Sequence, residues 1–210
     1  MATLSRLQNV GQLHGLTHSI PTKIHVARTG CNNRRWHSGA MRRKLHAASN
    51  ATEFLLSVQE LNSESFAPYG QVCTAQDDGK VFDNDDAQLV LDKGTPRFYI
   101  MRLNATGTSF NSITYHADVT QCLGGLSSEP WYMAVAAPSG SVEAYPTQED
   151  LAVFRIPSGT FVKLHKGTWH AGPLFSATPS MDFYNLELAD TNVVDHNKHE
   201  YSDVTFVLDL

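Results

Sequence analysis

The sequence predicts an all-β fold, a sandwich or barrel of short strands, and three observations carry this. From residue 53 onward apolar and polar residues alternate in runs of four to eight. The runs are separated by Gly, Pro, Asn and Asp, the residues of tight turns. Helix signals are confined to two short stretches, and many short strands with little helix bury their apolar faces best as packed sheets or a closed barrel.

Residues 55–61 give the first strand; Asn62 or Ser63 then caps a helical turn through Phe66. Strands follow at 71–74 and 97–103, divided by an acidic, Gly-bearing surface loop over 77–86. The next are 110–116 and 131–136, and Thr147-Gln148-Glu149-Asp150 opens a short helix. Strands 151–156 and 160–164 are joined by the turn Pro157-Ser158-Gly159, and 181–188 closes the series. Some 158 residues suffice for one core without metal or disulfide staples.

The charge is divided. Through Thr52 there is no Asp or Glu, yet that stretch holds half of the 16 Lys and Arg. The remainder carries a formal charge of about −13. An acid-free, Arg-bearing leader has the composition of an organellar transit peptide, mitochondrial or plastid, disordered before import; otherwise the protein is cytoplasmic. The chain is read as leader 1–52 and body 53–210. No long apolar run favours a membrane span, and an acidic body repels nucleic acid. Cys31, Cys73 and Cys122 are too scattered for a disulfide framework or zinc site.

His165-Lys166-Gly167-Thr168-Trp169-His170 is the densest chemistry in the chain. Gly167 permits positive φ, so a strand can end there and a new one begin at Thr168. An unbroken strand would aim His165 and His170 to opposite faces; only a turn or bulge at Gly167 brings both to one cavity. Trp169 is read as packing. Upstream, His116 is followed five positions later by Gln121.

These two segments resemble the paired metal-binding motifs of a cupin-like jelly-roll barrel. His116 and Gln121 stand where the second His and the Glu of the first motif fall, and Gly167 and His170 match the second motif. Thr114 replaces the first His and His165 replaces a Pro. Two imidazoles and a neutral amide bind Zn or Mn weakly, so His116, Gln121 and His170 would hold a borderline divalent ion such as Ni, if any. Otherwise His116 and His170 are buried histidines satisfied by carbonyls. Over 181–188, Met181, Phe183, Asn185 and Glu187 share one face. If it faces inward, Glu187 needs a cation or hydrogen-bond donors, with Lys166, His116 or His170 as candidates. Exposure of Glu187 is the alternative.

Beyond these motifs, Phe66-Ala67-Pro68-Tyr69-Gly70-Gln71-Val72, Pro96-Arg97-Phe98-Tyr99-Ile100 and the segment from Trp131 to Pro138 complete a resemblance to the ureidoglycolate lyase family of the cupin superfamily. The ending from Asn185 to His196 is similar to the plant-type branch; Ala171 stands where bacterial members have a second His. The resemblance implies cleavage of ureidoglycolate to glyoxylate and urea in purine (allantoin) catabolism, by a homodimer. A base must then take the hydroxyl proton and an acid must protonate the departing nitrogen. Glu187 or His116 is the expected base and His170 the acid. Lys166 or Arg97 orients the carboxylate, and Gln121 and His165 bond the ureido or hydroxyl groups. Two other functions are compatible: a non-catalytic small-molecule-binding cupin, and an enzyme for a different small carboxylate. The polar tail His196-Asn197-Lys198-His199-Glu200 either covers a subunit interface or is solvated, and its polarity favours solvation.

Overall fold

The computed structural model describes residues 51–210. Of the expected leader, residues 1–50 lie outside the described residues, and Thr52 already opens the first strand. The strands are β1 (Thr52–Glu60), β2 (Gly70–Cys73), β3 (Pro96–Asn104), β4 (Ser109–Phe110), β5 (Ser112–Tyr115), β6 (Gln121–Gly125) and β7 (Trp131–Ala136). They continue as β8 (Ala152–Ile156), β9 (Phe161–Leu164), β10 (Trp169–Leu174), β11 (Ser180–Leu188), β12 (Asn197–Glu200) and β13 (Val204–Asp209). Two one-turn helices, α1 (Ser63–Phe66) and α2 (Thr191–Val194), and two 3-10 turns complete the body. The Asn62 side chain accepts from Ser65 N–H and so caps α1 as expected.

Eight strands form one sheet in the order β12-β5-β10-β7-β8-β1-β13-β4, and five form a second in the order β2-β9-β6-β11-β3. Alternation builds the core between them. Met133, Val135, Phe154 and Ile156 from the larger sheet meet Leu123, Val162, Leu164, Met181 and Phe183 from the smaller. Each fully buried side chain of this size stabilises the fold by about 1.5–3 kcal/mol. The opposite face of β7 and β10, with Ala134, Ala136, Trp169 and Ala171, packs with Leu56, Phe206 and Leu208 of β1 and β13. The larger sheet therefore curls back upon itself, and the whole is a jelly-roll-like barrel of the cupin kind.

The tail departs from expectation in part. Residues 197–200 form an edge strand on β5, with Asn197 opposite Tyr115, and His196, Lys198 and Glu200 are exposed to solvent as expected. Its residues alternate between half-buried and exposed, and His199, stacked on Tyr145 and edge-on to Tyr201, holds it against the body. Strand β13, also unanticipated, pairs parallel with β1 over Thr52–Ser57. Among the described residues no helix is long and apolar enough to cross a membrane.

Candidate active site

The two histidine segments meet because β5 and β10 are neighbours, with Thr114 opposite His170. Gly167, at φ 79°, makes the turn that starts β10, and its N–H donates to the His116 carbonyl at 2.6 Å. His116 and His170 thereby line one cavity of about 180 Å3, with ring centroids 5.3 Å apart. Gln121 reaches it from β6, Asn185 and Glu187 from β11, and Asn192 and His196 from the segment after it, over an apolar floor of Met101, Leu103 and Leu123.

The tautomers are set by the backbone. His116 Nδ1 lies 2.7 Å from the Asp195 carbonyl, which can only accept, so Nδ1 carries the proton and Nε2 keeps its lone pair. Asp195 is itself anchored, its carboxylate accepting from the N–H groups of Ala117 and Asp118 at 2.8 Å each. His170 Nδ1 donates to the Thr168 carbonyl at 3.2 Å, leaving Nε2 as an acceptor 3.4 Å from Thr114 Oγ1. Burial, then the nearby His116, pushes His170 down to about 3, so it is neutral at physiological pH. Its expected part as proton donor does not suit this state; a neutral imidazole so bonded is an acceptor or ligand.

Glu187 is only 1 % exposed, which decides between the two readings of its face. Its burial is balanced by neutral donors: Gln121 Nε2 to Oε2 at 3.0 Å, Tyr99 Oη to Oε1 at 3.2 Å, and Asn192 Nδ2 to Oε1 at 3.4 Å. Among the described residues no Lys or Arg lines the cavity. Arg97 is the register partner of Glu187 on β3 and shares its face, with its guanidinium 3.7 Å over the Tyr99 ring. It stands beside the cavity rather than in it.

Two expected members are elsewhere. His165 and Lys166 border a separate depression with Lys163, because the turn at Gly167 hands the chain from the smaller sheet to the larger instead of folding both imidazoles into one space. Trp169 is fully buried against Tyr115, its indole N–H donating to Ser139 Oγ at 2.9 Å. Sequence reasoning missed Tyr99, Thr114, Asn192, Asp195 and His196 as site residues.

A metal can be tested against the donor set. Gln121 Oε1 is buried without a partner. Its orientation is forced, since Nε2 serves both Asn185 Oδ1 at 3.2 Å and Glu187 Oε2. That orphaned oxygen and the free Nε2 atoms of His116 and His170 make two nitrogen donors and one neutral oxygen donor. Among the described residues no three His, Cys, Asp or Glu side chains are grouped to hold an ion. The set fits a borderline ion such as Ni and disfavours the hard ions that require anionic oxygen.

A curled-sheet barrel with a small polar cavity, lined by imidazoles and one shielded carboxylate, defines the class: a cupin-type barrel with a cavity of small-molecule size. The family model described as Ureidoglycolate lyase matches residues 53–207. The chain belongs to that family and is accordingly an enzyme, a lyase. No curated protein matches the chain. Among solved structures it is similar to vicilin from Corylus avellana (hazelnut), at 13% identity and a TM-score of 0.33, over 55% of this chain and 33% of that one.

Proposed function

We propose that the protein cleaves ureidoglycolate into glyoxylate and urea, within purine catabolism. The observation that carries this is the pairing, in one buried cavity, of His116 with a free Nε2 and Gln121 with an unpartnered Oε1. His116 Nε2 takes the hydroxyl proton. The oxygen lone pair then forms the carbonyl of glyoxylate as the carbon–nitrogen bond breaks, and its electron pair passes to the nitrogen. His116, now imidazolium and stabilised by its carbonyl partner and by Glu187 across the cavity, returns the proton to that nitrogen. Gln121 Oε1 accepts from the ureido N–H groups, and neutral His170 accepts from the substrate. Arg97, beside Tyr99, draws the carboxylate to the mouth. Where a divalent ion is bound by His116, Gln121 and His170, it would supply Lewis-acid polarisation, and with the His116 Nε2 lone pair so engaged Glu187 would be the base.

Three further features belong to this reading. The acid-free leader supports organellar import. The ending from Asn185 to His196 supports the plant-type branch. Exposed Phe98, stacked on Tyr184, and exposed Ile100 opposite that tyrosine give the smaller sheet an apolar outer face that supports the family's homodimer.

The test is turnover of racemic ureidoglycolate by metal-stripped protein, with and without added Ni or Mn. Glyoxylate and urea in equal amounts above the spontaneous rate are expected. Ammonia in place of urea would point to hydrolysis, and saturable binding without turnover to a binding cupin.

A further inference from the structure

We propose that Lys163, Lys166 and His165 form a second ligand site, for a small oxyanion, on the face of the smaller sheet opposite the imidazole cavity. Within β9, Val162 and Leu164 point into the core, so Lys163 between them points out. It is nevertheless only 2 % exposed. A strap of chain lies over this edge. Gln71 Nε2 donates to the carbonyls of Asn84 and Asp86 at 3.1 and 3.2 Å, and Gln71 Oε1 accepts the Gln88 N–H at 2.9 Å. The Val90 N–H is bound by Thr120 Oγ1 at 2.9 Å.

The ammonium beneath this strap lacks a counter-charge. Of its three donors, the hydrogen bonds among the described residues occupy one, to His165 Nδ1 at 2.9 Å. His165 Nε2 donates to the Ala67 carbonyl at 3.2 Å, so its Nδ1 is the lone-pair side and the imidazole is neutral. The nearest acidic loop is already committed, with Asp83 and Asp86 on Lys80 at 2.8 and 2.9 Å. The depression is lined by Lys163, His165, Lys166, Gln71, Gln88 and Thr120, besides apolar and glycine positions, and by no carboxylate. It is open, about 580 Å3. A buried cation without a counter-charge is unfavourable, and an anion with several acceptor oxygens satisfies it while Lys166 adds a second charge at the mouth. The ligand class is a small carboxylate or inorganic phosphate.

Titration calorimetry of the full chain with inorganic phosphate, and separately with glyoxylate, tests this. Saturable binding is expected for at least one, lost by tenfold or more in Lys163→Met and retained in Gln121→Leu, whose side chain lies in the other cavity. Phosphate binding alone identifies a phosphate site, and glyoxylate binding alone a carboxylate site. Should Lys163→Met fail to fold, Lys166→Glu decides, with an expected loss of about fivefold or more. Binding of neither anion, equal binding by Lys163→Met or by Lys166→Glu, or glyoxylate binding abolished by Gln121→Leu without any phosphate binding, overturns the site.

Discussion

Gln121 gives its amide hydrogens to Glu187 and Asn185, and this leaves its own oxygen bare inside the cavity. The pair is thus polarised: a carboxylate shielded by donors on one side, a free acceptor on the other. Gln121→Leu removes both halves, uncovering Glu187 and deleting the acceptor. The expected result is a drop in kcat/KM of about 10²-fold or more and a destabilisation of about 1–3 kcal/mol. Steady-state kinetics with a urea melt check both.

His116 and His170 are chemically unequal despite their similar burial. The proton-transfer role of His116 predicts a kcat loss of about 10²–10⁴-fold in His116→Gln. His170→Asn, which keeps a neutral polar group, should lose less, with KM rising more than kcat falls. An equal loss of kcat in both variants, measured by initial rates on glyoxylate formation, would count against the assignment.

Asp195 acts through His116, being held by two backbone N–H groups and giving its carbonyl to the ring. Asp195→Ala should lower kcat about 10- to 100-fold with little change in KM. Its pH–rate profile should also change, whereas purely structural damage would scale the profile without altering it.

His165 predicts a pH effect on stability. Burial, followed by the Lys163 charge, holds its pKa below the usual imidazole range, so between about pH 6.5 and that lower value the unfolded chain binds the extra proton. Stability should be full above this window and fall as pH drops through it. Chemical melts at pH 7 and pH 5 should show a smaller difference in His165→Gln than in the parent.

A packing prediction concerns β2. A Cβ on Gly70 would sit 2.0 Å from the Lys163 carbonyl oxygen, an atom fixed in the β2–β9 ladder. Gly70→Ala should destabilise the protein by about 2–4 kcal/mol or prevent its folding, as read by thermal denaturation.

Much of this architecture was legible because strands announce themselves by alternation. Trp131–Ala136 and the two strands joined by the turn Pro157-Ser158-Gly159 stand where the periodicity put them, although those two strands belong to different sheets. Strands β6, β12 and β13 escaped notice, and the last two owe their existence to partners far away in the chain, Tyr115 and Thr52 among them. The site divides in the same way. His116, Gln121, His170 and Glu187 carry spacing or face signals and converge. Asp195 contributes a main-chain carbonyl, which no residue type advertises, and Tyr99 enters through the β3–β11 register rather than through any local pattern. His165 and Lys166 adjoin His170 in sequence, yet the turn between them separates sheets.

The parallel pairing of β1 with β13 joins the first described strand to the last. A ribosome releases Thr52–Ser57 long before Val204 and its successors exist, so the larger sheet has an open seam throughout synthesis. Asp195, which orders His116, emerges only shortly before that seam can close. The ordering of the His116 ring therefore waits on residues translated after nearly all of the strands that wall the cavity.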